Sequence, residues 1–494
     1  MAGRLVHTLL ALGTLAIPSL AGAQLVSLRS VPVASGDQFL VHPAERLGMG
    51  GVAIALDDRW LDPFVNPAKG ALAPESSFFL APTFYGISKG NGAGRTLPLA
   101  GLFTGGAWFG GGSLALQQIE NRSGEDVTLV GPCCWEWTGP PRRLDESASR
   151  NLYVHGLLGR RLGRGGASVG AGISYAALDA VDGVDLLYQG SDGVDQNGSI
   201  LDLRLGIQGT SERDHGWELL LLYNRVDMTH DVRFIEWRWL PDPDPFQQGE
   251  LFVREQTEED ETRTWGMHAG YDAPLAAEGW RLGGLFTLNR KTHPHIPNYE
   301  IQNIPRDPGD TWAFDMGVGL ARELGEVEFG VDVVFEPIWS DTWSLTDSVL
   351  PLPGGGQLGK GEKEIENEFF FNNVHLRAGV GREGERWGAQ LGLSASSYAY
   401  ALDQFDNVTR TRRKQDESWM EWSPSWSGAV RFPEVELRYT GRVTTGTGRP
   451  GVVFVGARAA EVASGDFIVA PSGPLTLQDV RVLTHQIAVR LPIR

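Results

Sequence analysis

Cysteine, positive charge and long apolar runs are scarce in this sequence, and each shortage excludes a class of protein. The only two cysteines, Cys133 and Cys134, are adjacent, so they form neither a disulfide framework nor a recognisable metal site. The net charge of −18 leaves no basic footprint for a nucleic acid. Beyond the N-terminus, no run approaches the ~18–20 apolar residues of a membrane-spanning helix. The chain is therefore not a helical membrane protein.

Residues 1–23 have the organisation of a secretory signal peptide. Arg4 supplies the positive charge, residues 9–20 the apolar stretch, and Ala21-Gly22-Ala23 a small-residue cleavage site. The pattern predicts export through the inner membrane. In an oxidising compartment, Cys133 and Cys134 either form a disulfide between neighbours or remain an incidental pair.

From Ser76 onward, segments of about 10–14 residues alternate apolar and polar side chains, as strands with two different faces do. In one such segment, Val327, Phe329 and Val331 fall on one face, and Glu328 and Asp332 fall on the other. Lipid around a barrel would accept the apolar faces, and so would the dry core of a soluble sandwich. The lengths of the connections distinguish these two folds.

The connections alternate between short and long, which is typical of the periplasmic turns and extracellular loops of an outer-membrane barrel. The short ones lie near 104–107, 162–166, 210–215, 274–279, 323–326, 382–386 and 432–434. The longer ones lie near 89–95, 120–148, 181–197, 229–262, 292–310, 339–367, 401–417 and 446–479. The sequence therefore predicts an all-β fold, a transmembrane antiparallel β-barrel of 14–16 strands over residues 75–494. Its place would be the bacterial outer membrane, in contact with lipid and lipopolysaccharide.

Residues 24–74 show no sustained alternation and are predicted to form an N-terminal hatch. Glycine and proline interrupt the segment at Gly48-Met49-Gly50-Gly51 and at Asn66-Pro67-Ala68. The glycines permit positive φ and close approach to a wall. The segment either plugs the lumen or hangs in the periplasm.

The motifs RLGMGGVAIALDD (Arg46 to Asp58) and NPAKGAL (Asn66 to Leu72) resemble the hatch of the FadL-like outer-membrane transporters. They are also similar to the related barrels of type IX secretion. The resemblance implies fourteen strands, a hatch folded into the lumen and transport of long-chain fatty acids or other hydrophobic compounds. It favours a short packed helix over residues 53–56. The hatch or gating candidates are Gly48, Gly50, Gly51, Asn66, Pro67 and Ala68. Alternatively, Asn66-Pro67-Ala68 is only a turn into the wall.

Aromatic residues in and beside the predicted loops are candidates for capturing an apolar ligand. They are Trp237, Trp239, Phe246, Phe252, Trp339 and Trp343. The alternative is an outer aromatic girdle at the membrane interface.

Enzymatic motifs are lacking, since the sequence has no nucleophile elbow, no paired-histidine zinc motif and no phosphate-binding glycine loop. We therefore expect no catalysis, no cofactor and no metal. The predicted function is passive uptake of a hydrophobic or amphipathic small molecule. Two alternatives remain open, a barrel that anchors or escorts a periplasmic or secreted protein and a general diffusion porin.

Overall fold

The computed structural model describes residues 25–120, 128–130, 136–138, 149–163, 166–181, 191–239, 249–293, 308–450, 467–470 and 473–493. The predicted signal peptide, Cys133, Cys134 and Phe246 lie outside these residues.

Sixteen antiparallel strands form a closed barrel, so the predicted fold class is confirmed at the upper end of its range. This is two strands more than the family resemblance implies. The first strand is divided at Ala81 and Pro82, and both of its halves pair with the second and the last strand, which closes the ring. The strands are β1 (Ser76–Leu80 and Thr83–Ile87), β2 (Ala93–Gly105), β3 (Trp108–Glu120), β4 (Ser149–Leu162), β5 (Ala167–Leu178), β6 (Ser191–Thr210), β7 (Gly216–Trp239), β8 (Gly249–Pro274), β9 (Trp280–Thr292), β10 (Gly309–Leu324), β11 (Val327–Leu345), β12 (Lys363–Glu383), β13 (Trp387–Asp406), β14 (Thr411–Arg431), β15 (Glu436–Pro450) and β16 (Gly473–Ile493).

The remaining elements are short. Strand pairs outside the ring join Thr128–Val130 to Glu136–Thr138 and Leu350–Pro351 to Gln357–Leu358, and Phe467–Ala470 pairs with β16. The helices are Leu47–Met49, Asp62–Val65, Pro67–Leu72 and Ser88–Gly90. Within the described part of the chain, no helix is long and apolar enough to cross a membrane.

The two faces of the wall differ as the alternation predicts. On β11, Val333 and Phe335 are 45% and 40% exposed on the outside, whereas Asp332 is fully buried on the inside. Likewise on β15, Leu437 is 42% exposed on the outside and Arg438 is 1% exposed on the inside. Apolar side chains thus face outward and charged ones face the lumen, as in a barrel surrounded by lipid.

Aromatic residues mark both ends of the apolar outer band. Trp108 and Trp387 begin their strands beside the short turns. Trp312 and Trp339 are exposed Cα partners far along β10 and β11. Such belts are expected where a barrel wall meets the two membrane interfaces.

At the long-loop end, the strands run further than the sequence indicates. The predicted loop over 401–417 is a turn at 407–410, because β13 and β14 pair as far as Asp406 and Thr411. Likewise, β7 continues to Trp239 and β8 begins at Gly249. Charged side chains such as Arg225 and Asp403 replace apolar ones at outward-facing positions there, which ends the alternation in the sequence. Backbone pairing above the membrane needs no apolar face, so the strands continue.

Residues 25–74, called the hatch from here on, lie within the barrel. Inward-facing side chains on widely separated strands bond to it. Gln117 of β3 bonds to Gln38, Glu218 of β7 to Asn66, and Glu421 of β14 to Arg29.

Candidate functional site

The glycine turn of the hatch is fastened against β13 and β14. The helix Leu47–Met49 ends at Gly50 and Gly51, whose φ values are 72° and 75°. The Gly50 N–H donates to Ser425 Oγ at 3.1 Å, and that hydroxyl donates to the Gly48 carbonyl at 3.1 Å. A Cβ on Gly50 would lie 2.8 Å from the Leu393 carbonyl oxygen. Close approach to the wall therefore requires glycine here.

Asn66-Pro67-Ala68 joins the hatch to the opposite side of the barrel. Asn66 Oδ1 accepts from the Ala68 N–H at 3.1 Å, which caps the helix Pro67–Leu72. Asn66 Nδ2 donates to Glu218 Oε2 at 2.7 Å, and Ser168 Oγ donates to the Ala68 carbonyl at 2.9 Å. The motif is both a turn and a wall contact. A gating role for it stays a prediction.

Lys69 gathers three carboxylates beside this motif. Its Nζ lies 3.0 Å from Asp57, 3.3 Å from Asp62 and 3.1 Å from Glu218 of β7. Although burial opposes the charge, these carboxylates raise the pKa of Lys69 well above its usual value. The charge of Lys69 in turn lowers the pKa of Asp57. The ammonium group therefore stays charged and fixes the end of the hatch to the wall.

A second set of charges holds the middle of the hatch. Arg46 Nη2 lies 2.7 Å from Glu328 Oε2, and both side chains are about nine-tenths buried. Asp332 Oδ2 accepts from the backbone N–H groups of Ala53 at 2.7 Å and Ile54 at 3.2 Å. The expected helix over residues 53–56 is wrong, since residues 54–56 form a bend. So short a segment gains almost no intrahelical hydrogen bonds, so its contacts with the wall decide its conformation.

The predicted aromatic residues do not form one described cluster. Trp339 lies on the outer face of β11, 48% exposed, with its ring 5.7 Å from Phe314 and 5.2 Å from Phe370. Trp343 lies further along β11, with Lys363 Nζ 4.7 Å from its ring. These positions suit the girdle alternative. Trp237, Trp239 and Phe252 belong to the extended β7–β8 hairpin, and their side chains lie outside the described part.

An apolar patch that the sequence pattern did not indicate lies inside the lumen. Inward-facing side chains of β10 to β13 form it, and Val26 and Leu28 of the hatch cover it. Its wall residues, called the lumenal patch, are Ala313, Ile338, Phe369, Phe371, Tyr400 and Leu402. The run Phe369-Phe370-Phe371 was the available signal, because three consecutive aromatic residues in a strand place at least one on each face.

Polar contacts hold both ends of residues 26–29, the hatch segment that covers the lumenal patch. The Val26 N–H donates to Asn289 Oδ1 at 2.8 Å. Arg29 donates to Glu421 Oε2 at 2.9 Å and to the Tyr398 hydroxyl at 3.1 Å, with its guanidinium 4.9 Å from the centre of the Tyr398 ring. Residues 26–29 thus place two apolar side chains on the patch and a charged group at its edge.

No protein-family model matches the chain, and no curated protein matches its sequence. Among solved structures, it is similar to a FadL homologue of Pseudomonas aeruginosa (10% identity, 93% of this chain, 100% of that chain, TM-score 0.46). It is also similar to the toluene transporter TodX of P. putida (10% identity, 91% and 98%, TM-score 0.38). CdiB from Acinetobacter baumannii is 8% identical over 84% of this chain, at a TM-score of 0.39. The chain spans 60% of the length of CdiB.

Proposed function

We propose that this protein is an outer-membrane barrel for passive uptake of hydrophobic or amphipathic small molecules. The lumenal patch would bind the molecule, and movement of the hatch would open its path. The apolar outer face and its aromatic belts support insertion into a bilayer. In the bacterial outer membrane, the protein would contact lipopolysaccharide as well as lipid. The motifs at Arg46–Asp58 and Asn66–Leu72 support the same function through their resemblance to the FadL-like transporters.

One observation carries this proposal: an apolar surface inside a mostly polar lumen is covered by the protein's own Val26 and Leu28. Phe371 and Ile338 are fully buried beneath this cover. Burial of such a side chain contributes about 1.5–3 kcal/mol. A ligand that replaced Val26 and Leu28 would make comparable apolar contacts with the patch. The free-energy cost of displacing these two side chains would therefore be largely offset.

The polar part of the lumen argues against an open diffusion pore. Inward-facing groups such as Glu328, Asp332 and Gln117 bond to the hatch. A polar solute would have to break these bonds without offering an apolar surface to the patch.

A reversible tether tests whether the hatch must move. Val33 and Gly448 form an isolated bridge, in which the Ala34 N–H donates to the Gly448 carbonyl at 2.8 Å. Val33→Cys with Gly448→Cys, made with Cys133→Ser and Cys134→Ser, would fix the hatch to β15 by a disulfide. Uptake of the apolar dye N-phenyl-1-naphthylamine by cells expressing this variant should be blocked under oxidation and restored by a reductant. Each single-cysteine variant is the control.

A substitution pair tests the patch itself. Phe371→Ala, on the lumenal side, should reduce dye uptake severalfold. Phe370→Ala, on the outer side of the same strand, should not. Dye uptake that is indifferent to the tether and to Phe371→Ala would refute the proposal. Entry of polar sugars through the reduced protein would indicate a porin, and loss of a bound secreted protein in the tethered form would indicate an anchoring role.

A further inference from the structure

We infer that the molecule bound at the lumenal patch is an amphipathic cation, with an apolar body and an amine or guanidinium group. This ligand class rests on the proposed function and deepens it, because it gives the charge of the ligand at that same site. The segment that covers the site, residues 26–29, has the same chemistry. It presents two apolar side chains and one guanidinium group to the wall.

The guanidinium of Arg29 neutralises a buried carboxylate of the wall. Arg29 Nη2 lies 2.8 Å from Glu421 Oε1, and the side chain of Glu421 is only 2% exposed. Among the described residues, no other cation forms an ion pair with Glu421. A buried carboxylate that loses its cation is strongly disfavoured. A ligand that displaces residues 26–29 is therefore favoured if it brings a positive charge of its own.

Aromatic rings connect the lumenal patch to this carboxylate. Tyr398 faces the same side of β13 as Tyr400 of the patch, and its ring stacks on Trp419 with the ring centres 5.0 Å apart. Trp419 packs against the patch, and the guanidinium of Arg29 lies 4.9 Å from the centre of the Tyr398 ring. The face of an aromatic ring attracts a cation. The wall thus offers one continuous surface that is apolar at the patch, aromatic beside it and acidic at Glu421.

Two further carboxylates face the lumen next to the patch. Asp315 follows Ala313 by two positions on β10, and Glu336 precedes Ile338 by two positions on β11, so all four share the inward face. Asp315 and Glu336 are 7% and 8% exposed. Asp315 Oδ1 accepts no hydrogen bond from the described residues, which leaves this oxygen available to an N–H donor of the ligand.

The charge balance of the site changes when its cover moves. Lys291 of β9 and Arg377 of β12 interact electrostatically with Asp315, and both belong to the wall. They remain in place when the hatch moves. The partner of Glu421 is different, because Arg29 belongs to the hatch and leaves with the cover. A ligand that carries a carboxylate would meet the unpaired charge of Glu421 and be repelled.

The test measures binding of octylguanidinium, octanol and octanoate to the full-length protein in phosphatidylcholine nanodiscs by titration calorimetry. The three probes carry similar alkyl chains and differ in charge. Empty nanodiscs correct for partition into lipid. Octylguanidinium should bind most tightly and octanoate least tightly.

The carboxylate is tested in protein that carries Arg29→Gln, in which the ion pair of Glu421 with the hatch is already absent. Loss of the protein's own competing cation should strengthen octylguanidinium binding severalfold. Adding Glu421→Gln should then weaken octylguanidinium about tenfold and leave octanol unchanged, because only the charged probe bonds to the carboxylate. Arg29 belongs to no strand, so Arg29→Gln leaves the ladders of the wall intact.

Glu218→Gln, made in the same Arg29→Gln protein, is the matched control. Glu218 also joins the wall to the hatch, through Asn66, but it lies near the short-turn end of β7. Its substitution should leave the ratio of octylguanidinium affinity to octanol affinity unchanged. Equal affinities for the three probes, or equal effects of the two glutamate substitutions, would overturn the inference and leave uptake of an uncharged molecule standing. Failure of every probe to bind would refute the inference together with the proposed role of the patch.

Discussion

The barrel wall and the hatch are parts of one chain that are held by different interactions. In the wall, strands that follow each other pair through continuous backbone ladders, as β7 and β8 do over their whole length. The hatch has a single α-helix of four residues. Its backbone bonds instead to wall side chains, such as Arg204 on the Val65 carbonyl and Arg161 on the Ala71 carbonyl, both at 2.7 Å.

This difference means that the wall supplies the hatch with its conformation. The hatch can leave without breaking a ladder of the wall, whereas loss of the wall would remove most partners of the hatch. The following experiments therefore test hatch docking and wall stability as separate properties.

The largest effect is expected at the buried pair of Arg46 and Glu328. Arg46→Gln would leave Glu328 buried without its partner, which should cost about 3–5 kcal/mol of docking free energy. Hydrogen exchange of the hatch amides should rise, while the thermal unfolding of the barrel stays nearly constant. The double variant Arg46→Met, Glu328→Met should restore much of the protection. A wall destabilised as much as the hatch would contradict the separation of the two.

A charge on the lipid-facing side of the wall should destabilise the wall and leave hatch docking nearly unchanged. Val318 of β10 is 59% exposed on the outer face, and Val318→Arg should destabilise the wall by about 2–4 kcal/mol if it lies near the bilayer midplane. The measurement is denaturant unfolding in lipid vesicles. Val349→Arg, on an exposed valine between β11 and β12, is the control and should have little effect. Equal effects of the two substitutions would mean that lipid does not surround Val318.

Alanine substitutions at two glycines distinguish the cost of backbone strain from the cost of a clash with the wall. Gly50→Ala and Gly325→Ala both place alanine at positive φ, at 72° and 62°, which costs about 1–2 kcal/mol. Only Gly50 would also bring a Cβ within 2.8 Å of a wall carbonyl, since no atom lies within 4 Å at Gly325. Gly50→Ala should therefore increase proteolysis of the hatch more than Gly325→Ala does. Equal sensitivity would show that the contact with the wall contributes nothing.

The cap at Asn66 should have a smaller effect. Asn66→Ala removes the bond to the Ala68 N–H and the bond to Glu218, and loss of such a cap costs about 1 kcal/mol. Asn66→Asp keeps the cap but places a carboxylate beside Glu218. Hydrogen exchange at Ala68 should therefore increase in the alanine variant, and the aspartate variant should loosen the contact with Glu218 selectively. Unchanged exchange in both variants would exclude Asn66 as a docking residue.

Lowering the pH should weaken docking of the hatch because His42 becomes protonated. Burial, with repulsion from His155 and Arg204, lowers the pKa of His42 well below its usual value of 6.5. The docked hatch therefore binds fewer protons than the free one, and docking weakens as the pH falls below about 6.5. Hatch protection should decrease modestly between pH 7 and pH 5, and His42→Gln should flatten this dependence. An unchanged pH profile in that variant would assign the effect to another group.

The wall was predictable from the sequence to a much greater extent than the hatch. Alternation over Val327 to Phe335 indicated the faces of β11 because lipid and lumen select opposite side chains at every second position. It failed at the ends of β13 and β14, where charged side chains such as Asp403 and Arg412 take the outward-facing positions. In the hatch, the glycines at 48, 50 and 51 indicated a tight approach, but not that Ser425 and Leu393 would be the groups approached.

By itself, the sequence determined the all-β class, the in–out alternation and the order of short and long connections, because these depend on local periodicity and on neighbouring strands. Only the tertiary structure decided that the ring closes at sixteen strands, that Arg46 meets Glu328, and that Val26 and Leu28 cover the lumenal patch. Those contacts join residues hundreds of positions apart, and the closed barrel brings them together.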